Sequence, residues 1–227
     1  MITLLNHIYR NLPNIVSILG VLPLCILLRD DAFKYLCPLI VLNNILDDLD
    51  GILAKKLRLC SSFGAGLDNV CDAVAHILIA LVVGSHFGGI VLAFSLLSTV
   101  AILLRVVQRL APTPATGTGT PTNELMRHLL LLLIVLQGSL GDHISPGLVA
   151  TLLVAVFLLN SVSMLVPFAM PHLIRSMTKS ATAILGVNVA LVTAWWVPVT
   201  APFIAAAFLG TYLYSFVVDG VRWLRRV

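Results

Sequence analysis

The sequence predicts an all-α integral membrane protein of about eight transmembrane helices, preceded by a short N-terminal interfacial helix. Three observations predict it. Mean hydropathy is +1.03, only 11% of the 227 residues are charged, and apolar runs of about twenty residues, enough to cross a bilayer as a helix, recur along the chain. This composition excludes a soluble domain with one large core. The net charge of +4 comes from basic residues in short connections without interleaved aromatics, which reads as topology and headgroup contact and not as a nucleic-acid surface. No second domain and no clear internal repeat is visible, so residues 1–227 are expected to form a single membrane domain.

Ile2, Leu4, Leu5, Ile8, Tyr9 and Leu12 fall roughly on one helical side opposite Asn6 and Arg10, which gives the interfacial helix. Arg10 is the only formal positive charge up to Asn14, and Pro13 breaks the stretch, so no cleavable signal peptide is expected. Pro13 and Asn14 open a first apolar run to Leu28. The polar turn Arg29-Asp30-Asp31 leads to a second run from about Ala32, which must stay helical from Asn43 to Leu57 if its acids are to share a face. Gly51 weakens that helix, and close approach of a ligand or neighbour is the natural reason for it. A third span runs from about Ala65 to His86, a turn follows at Gly88-Gly89, and a fourth span covers Ile90 to Leu110. The Pro- and Gly-rich segment Ala111 to Thr122 is the longest loop. Further spans cover Glu124 to Leu140 and Leu148 to Leu165, with an extra C-terminal pair over about 181–218. Pro167 to Lys179 is too polar to span and is expected at the interface.

Charge placement gives an independent check on this count. With a cytoplasmic N-terminus, Arg10, Lys55, Lys56, Arg58, Arg105, Arg109, Arg127, Arg175, Lys179, Arg222, Arg225 and Arg226 fall inside, and only Arg29 and Lys34 outside. The boundary that carries Asp47 to Asp72 then faces the cytoplasm. Cys25, Cys37, Cys60 and Cys71 show no CxxC spacing and are expected as buried free thiols.

Asp47 to Asp72 holds five of the ten acidic residues. Asp47 and Asp50 are spaced i,i+3 and Asp68 and Asp72 i,i+4, so each pair can project from one helical face. Carboxylates beside apolar helices are costly without a cation, and Lys55, Lys56 and Arg58 are too few for all of them. Hard oxygen donors without useful His or Cys spacing select magnesium, manganese or calcium over zinc. Magnesium completes its shell with water and substrate phosphate, which points to a phosphorylated substrate and phosphoryl-type transfer. Two ions about 3.5–4 Å apart can clamp a diphosphate. Asp48 is turned about 100° from Asp47 and is expected to face water or Lys56.

The spacing Asp47-x2-Asp50-Gly51-x2-Ala54-Lys55-x8-Gly64-x3-Asp68-x3-Asp72 resembles the signature of the CDP-alcohol phosphatidyltransferases, membrane enzymes of phospholipid synthesis. Lys55 is the one departure, where the family usually has arginine. The resemblance implies that Asp47, Asp50, Asp68 and Asp72 hold two divalent cations, Mg or Mn, on the cytidine diphosphate group. It implies Asp72 as the general base and room for the nucleotide at Gly51, Ala54 and Gly64, with Lys55 at phosphate or nucleotide. As a point charge Lys55 cannot reproduce an arginine fork. CDP-diacylglycerol, a small polar alcohol, the lipid bilayer and a second copy of the chain are the implied partners, in a bacterial inner or plasma membrane. The eight-span count, Leu67-Asp68-Asn69 and Asp72-Ala73-Val74 resemble the phosphatidylserine synthase branch, as do Arg105 and Arg109 ahead of Gly119-Thr120-Pro121. The Arg-Phe-Asn run usual there is missing. Serine is the first expected acceptor; a phosphatidylglycerophosphate or phosphatidylinositol-type synthase, or another CDP-alcohol phosphotransferase, is the alternative. An ion or proton transporter is the alternative from another class, though its acids would be distributed among spans near the midplane.

Arg105, Arg109 and Arg127 can reach a substrate carboxylate or lipid phosphate, with plain topology anchoring an equal reading. His76, one turn beyond Asp72, reads first as a structural histidine and second as support for the acids. The remaining histidines are scattered and carry no assigned chemistry. Trp195, Trp196 and Trp223 fit membrane-interface positions.

Overall fold

A computed structural model describes residues 2–110, 122–166, 168 and 181–226. The expected loop before Thr122 and the expected interfacial piece apart from Phe168, with His172, Arg175 and Lys179, lie outside the described residues. Every regular element among the described residues is helical. The chain divides into two compact units, Met1–Ile79 and Ala80–Val227, and the division falls inside one long helix.

The first unit opens with α1 (Ile2–Arg10) and α2 (Leu12–Val21). Pro13 is tolerated in the first turn of α2, where its missing N–H has no intrahelical partner to lose. Pro23 cannot donate back along the helix, and the chain tightens into a 3-10 helix over Leu22–Leu28. That tightening was not readable as part of the first apolar run. The polar turn after it is closed by Asp31 at φ +58°, a left-handed conformation that aspartate tolerates better than most residues. A short 3-10 turn, Ala32–Tyr35, then leads into α3 (Leu36–Lys56), which continues unbroken through the acids as expected. α2 and α3 pack together. Asn43 Nδ2 donates to the Gly20 carbonyl at 3.1 Å, and a Cβ on Gly20 would stand 3.3 Å from Leu46 Cβ.

α4 (Ser62–Phe87) crosses the division, and in the second unit Gly88 and Gly89 turn the chain at φ +65° and +49°. Only glycine adopts two such positions in succession without strain. α5 (Gly89–Leu110) returns so close that a Cβ on Gly84 would lie 2.0 Å from Ser95 Oγ and 2.6 Å from Ser95 Cβ. α6 (Thr122–Leu140), α7 (Pro146–Leu165), α8 (Ala181–Trp196) and α9 (Ala201–Leu224) complete the unit. Ser145 caps α7 by accepting from Leu148 N at 3.2 Å. α5 and α6 both pack on α7, and α8 and α9 on α6. Polar side chains tie these helices. Asn160 Nδ2 donates to Ser98 Oγ at 2.8 Å, Ser98 Oγ lies 3.4 Å from Met126 Sδ, and the Ser163 and Tyr212 hydroxyls are hydrogen-bonded to each other. Interhelical bonds of this kind contribute about 0.6 kcal/mol each on average in membrane bundles.

Among the described residues five helices are long and apolar enough to cross a bilayer: α4, α5, α6, α7 and the stretch Pro198–Leu224 that includes α9. Leu12–Leu28 and Ile184–Trp196 are shorter apolar stretches, and α3 carries the acids, so the other three of the eight expected places are helical too. The protein is an integral membrane all-α protein. One expectation fails: the four cysteines are free but none is fully buried, Cys25 and Cys60 being exposed and Cys37 and Cys71 half-buried. An apolar helix surface that faces lipid is not removed from the protein's own surface, so apolar neighbours in sequence did not imply burial.

Candidate active site

The site is set by how α3 stops and α4 starts. Leu59 N–H bonds to Ala54 O at 2.9 Å and Arg58 N–H to Lys55 O at 3.3 Å, the paired bonds of a Schellman motif. Arg58 takes the left-handed position usually given to glycine, at φ +56°. Three residues later Ser61 caps α4, accepting from Gly64 N at 2.9 Å through its hydroxyl and from Ala65 N at 3.0 Å through its carbonyl. Both ends of the connection are thus fixed by backbone bonds.

Against this connection lies a partly open cavity of about 230 Å³ within the first unit. Asp50, Gly51, Ala54 and Lys55 of α3 line it, facing Gly64 and Asp68 of α4. Six of the predicted site residues therefore line one cavity. A Cβ on Gly51 would meet no atom of the described residues within 4 Å, so of the two reasons expected for this glycine a neighbour among those residues is not one. Gly64 is different: a Cβ there would stand 3.0 Å from Ser61 Oγ and 3.1 Å from Asn14 Oδ1. Lys55 is exposed at the wall.

The four signature aspartates differ in burial. Asp50 is 5% exposed; Asp47 and Asp72 are half-buried and Asp68 is exposed. Asp50 and Asp68, one from each helix, line the cavity, while Asp47 and Asp72 are not among its lining residues. The donor chemistry of the four, hard oxygens in an apolar setting, fits a divalent cation. Among the described residues no three His, Cys, Asp or Glu side chains converge on one point, so an ion held here takes the rest of its shell from water and substrate oxygens. Asp48 departs from expectation. It is 8% exposed and accepts from Asn44 Nδ2 at 3.4 Å, because Asn44, one turn back on the same face, is buried as well.

The cavity also shows what the sequence reading passed over. Pro13, Asn14 and Ser17 of α2 line it. The Ser17 hydroxyl donates to Asp50 Oδ2 and lies 3.2 Å from the Pro13 carbonyl. Asn14 and Ser17 at i,i+3, just after Pro13 on an otherwise apolar helix, were the available signal. Cys60 and Ser61 complete the rim.

Arg105, Arg109 and Arg127 belong to the second unit. Arg105 is 6% exposed and Arg127 1%, so neither sits as a plain interfacial anchor. Arg105 Nη1 donates to Gln108 Oε1 at 3.1 Å, while its buried Nε and Nη2 have no hydrogen-bond partner among the described residues. Arg109 is half-buried.

The family model described as CDP-alcohol phosphatidyltransferase matches residues 10–140, more than half of the 227 residues. That span contains every residue lining the cavity. A comparison with curated proteins finds no match.

Proposed function

The chain belongs to the CDP-alcohol phosphatidyltransferase family, and from that premise we propose that it moves a phosphatidyl group from CDP-diacylglycerol to a small polar alcohol, L-serine first, with release of CMP. One observation carries the reading: the cavity gathers Asp50, Gly51, Ala54 and Lys55 from one helix and Gly64 and Asp68 from the next. Its volume, about 230 Å³, falls below the ~300–1,000 Å³ of pockets that engulf whole ligands. It suits the polar diphosphate portion of a lipid whose chains stay in the bilayer.

Family members generally use divalent cations; here Asp47, Asp50, Asp68 and Asp72 would hold Mg or Mn, which when bound neutralises diphosphate charge and acidifies the acceptor hydroxyl. Asp72 takes the proton of that hydroxyl. The alcohol oxygen forms a bond to the lipid-bearing phosphorus, and the bond from that phosphorus to the CMP oxygen breaks. Lys55 contributes a mobile positive charge at the phosphates. Gly51 leaves the wall open for the nucleotide, consistent with the empty space where its side chain would be. Ser17 holds Asp50 in place through its hydroxyl. The cytoplasmic side expected from the basic residues is one where a soluble alcohol would meet a lipid-borne donor.

Two sequence features favour serine within the family: the run Leu67-Asp68-Asn69 with Asp72-Ala73-Val74, and Arg105 and Arg109 ahead of Gly119-Thr120-Pro121. The test is the purified protein in CDP-diacylglycerol micelles with Mn or Mg and, separately, serine, glycerol 3-phosphate, inositol and inositol phosphate. Phosphatidylserine and stoichiometric CMP with serine alone is the expected result. Lipid product from another alcohol moves the protein to another branch, and ion flux in liposomes without CMP release replaces transfer with transport.

A further inference from the structure

α2 is apolar apart from Asn14 and Ser17, and both of these line the cavity. Ser17 is engaged with Asp50. Asn14 is half-buried, and its Oδ1 lies 3.1 Å from where a Cβ on Gly64 would stand, so the glycine is what lets this carboxamide seat against the first turn of α4. The way round that the amide sits is set from outside the cavity. Asn11 Nδ2 donates to the His7 carbonyl at 3.0 Å. A carbonyl only accepts, so Asn11 is left with its Oδ1 toward Asn14, whose Nδ2 donates to it at 3.2 Å. Turning Asn14 over would set two amide oxygens against each other. Asn14 Oδ1, which accepts no hydrogen bond among the described residues, is thereby kept as an acceptor beside Gly64.

A fixed acceptor selects a donor. A CDP lipid carries donors only in the amino group of cytosine and the hydroxyls of ribose, since its phosphates are ionised and its acyl chains have none. A hydroxyl both donates and accepts, so it pairs with an amide either way round and gains nothing from a fixed one. A base amino group only donates. The ammonium of an acceptor such as serine only donates too, but Asp50 and Asp68 line the same cavity, and charge-assisted bonds to carboxylates are the stronger. We propose that Asn14 Oδ1 accepts from the exocyclic amino group of cytosine and that Asn11 is the positioning residue that keeps it an acceptor, so that the pair distinguishes a cytidine nucleotide from a uridine one. Uracil carries an oxygen where cytosine carries the amino group; a fixed Oδ1 repels it, whereas an amide free to turn would offer it an N–H. The proposal rests on the reading of the cavity as the site of the CDP group.

The experiment titrates full-length protein in detergent, with Mn present, with CMP, UMP and 2′-deoxyCMP by calorimetry. Wild type is expected to bind CMP about tenfold more tightly than UMP, the scale of one hydrogen bond made or denied, and 2′-deoxyCMP about as tightly as CMP. Asn14→Leu, close in size but without the amide, is expected to lose about three- to tenfold in affinity for CMP and little for UMP, so that the preference disappears. Asn11→Ala leaves the Asn14 amide free to turn, and is expected to bind UMP more tightly than wild type does, a gain that damage to the fold does not produce. Equal affinity of wild type for CMP and UMP, an unchanged preference in Asn14→Leu, or no gain for UMP in Asn11→Ala overturns the proposal. A marked loss with 2′-deoxyCMP gives Oδ1 to the ribose and overturns it as well. The failure of the underlying reading looks different: folded wild type then binds none of the three nucleotides and releases no CMP from CDP-diacylglycerol.

Discussion

Asp50 is the most buried of the four signature aspartates, and the Ser17 hydroxyl on it comes from a helix that the acid spacing gave no reason to inspect. A buried carboxylate oxygen that loses a donor costs about 1–3 kcal/mol. Ser17→Ala is therefore expected to lower the unfolding midpoint in detergent by several degrees, while Ser17→Thr, which keeps the hydroxyl, holds it near wild type. An unchanged midpoint in Ser17→Ala would remove Ser17 from the support of Asp50. The spacing of the aspartates, the small residues and Lys55 was legible because helical periodicity alone puts i,i+3 and i,i+4 residues on one face. Ser17 and Asn14 were not, since a serine in an apolar helix ordinarily bonds back to its own backbone, as Ser17 can to Pro13. Asp48 misled for the converse reason: its angle from Asp47 was right, but what covers that face is a tertiary matter.

At the scale of elements, the chain's punctuation was mostly readable. The Gly88-Gly89 turn stands where expected, and α3 and α8 end close to the expected residues. α9 extends to Leu224, beyond the span expected from hydropathy, because a helix need not stop where its apolar run stops. The 3-10 stretch Leu22–Leu28 and the Schellman stop at Arg58 were not readable, because neither carries the glycine that usually announces such a change. Gly84 is the position where an element boundary becomes an energetic test. A methyl there would collide with the side chain of Ser95 and lie 3.3 Å from Leu92 Cα, and overpacking of this sort costs about 1–3 kcal/mol. Gly84→Ala is expected to lower the unfolding midpoint, and Gly84→Ala with Ser95→Gly to recover it; failure of the pair to recover would mean that the backbones, not these two side chains, set the spacing.

At the scale of the molecule, hydropathy and charge identified an all-helical membrane protein, and five helices among the described residues meet the full length and composition of a crossing. Burial was less legible, because lipid-facing and core-facing positions are equally apolar; the exposed Cys25 is the instance, while Cys60 is exposed in the connection between α3 and α4. Those two thiols make the orientation measurable. Cys60 sits on the rim of the cavity and Cys25 in an apolar helical stretch. With Cys60 as the sole cysteine, a membrane-impermeant maleimide is expected to label inside-out but not right-side-out vesicles, and CMP with Mn to slow the labelling. Labelling from the opposite side would reverse the cytoplasmic assignment.

The Gly88-Gly89 turn has a consequence for biogenesis. Gly84 and Ser95 meet across a sequence separation short enough for their contact to form as soon as α5 has emerged. The end of α4 and the start of α5 can therefore enter the bilayer as a preassembled hairpin, before the helices that follow have been synthesised. A lesion in that hairpin should appear as protein that never accumulates in the membrane, whereas a lesion among the aspartates should appear as protein that accumulates and does nothing.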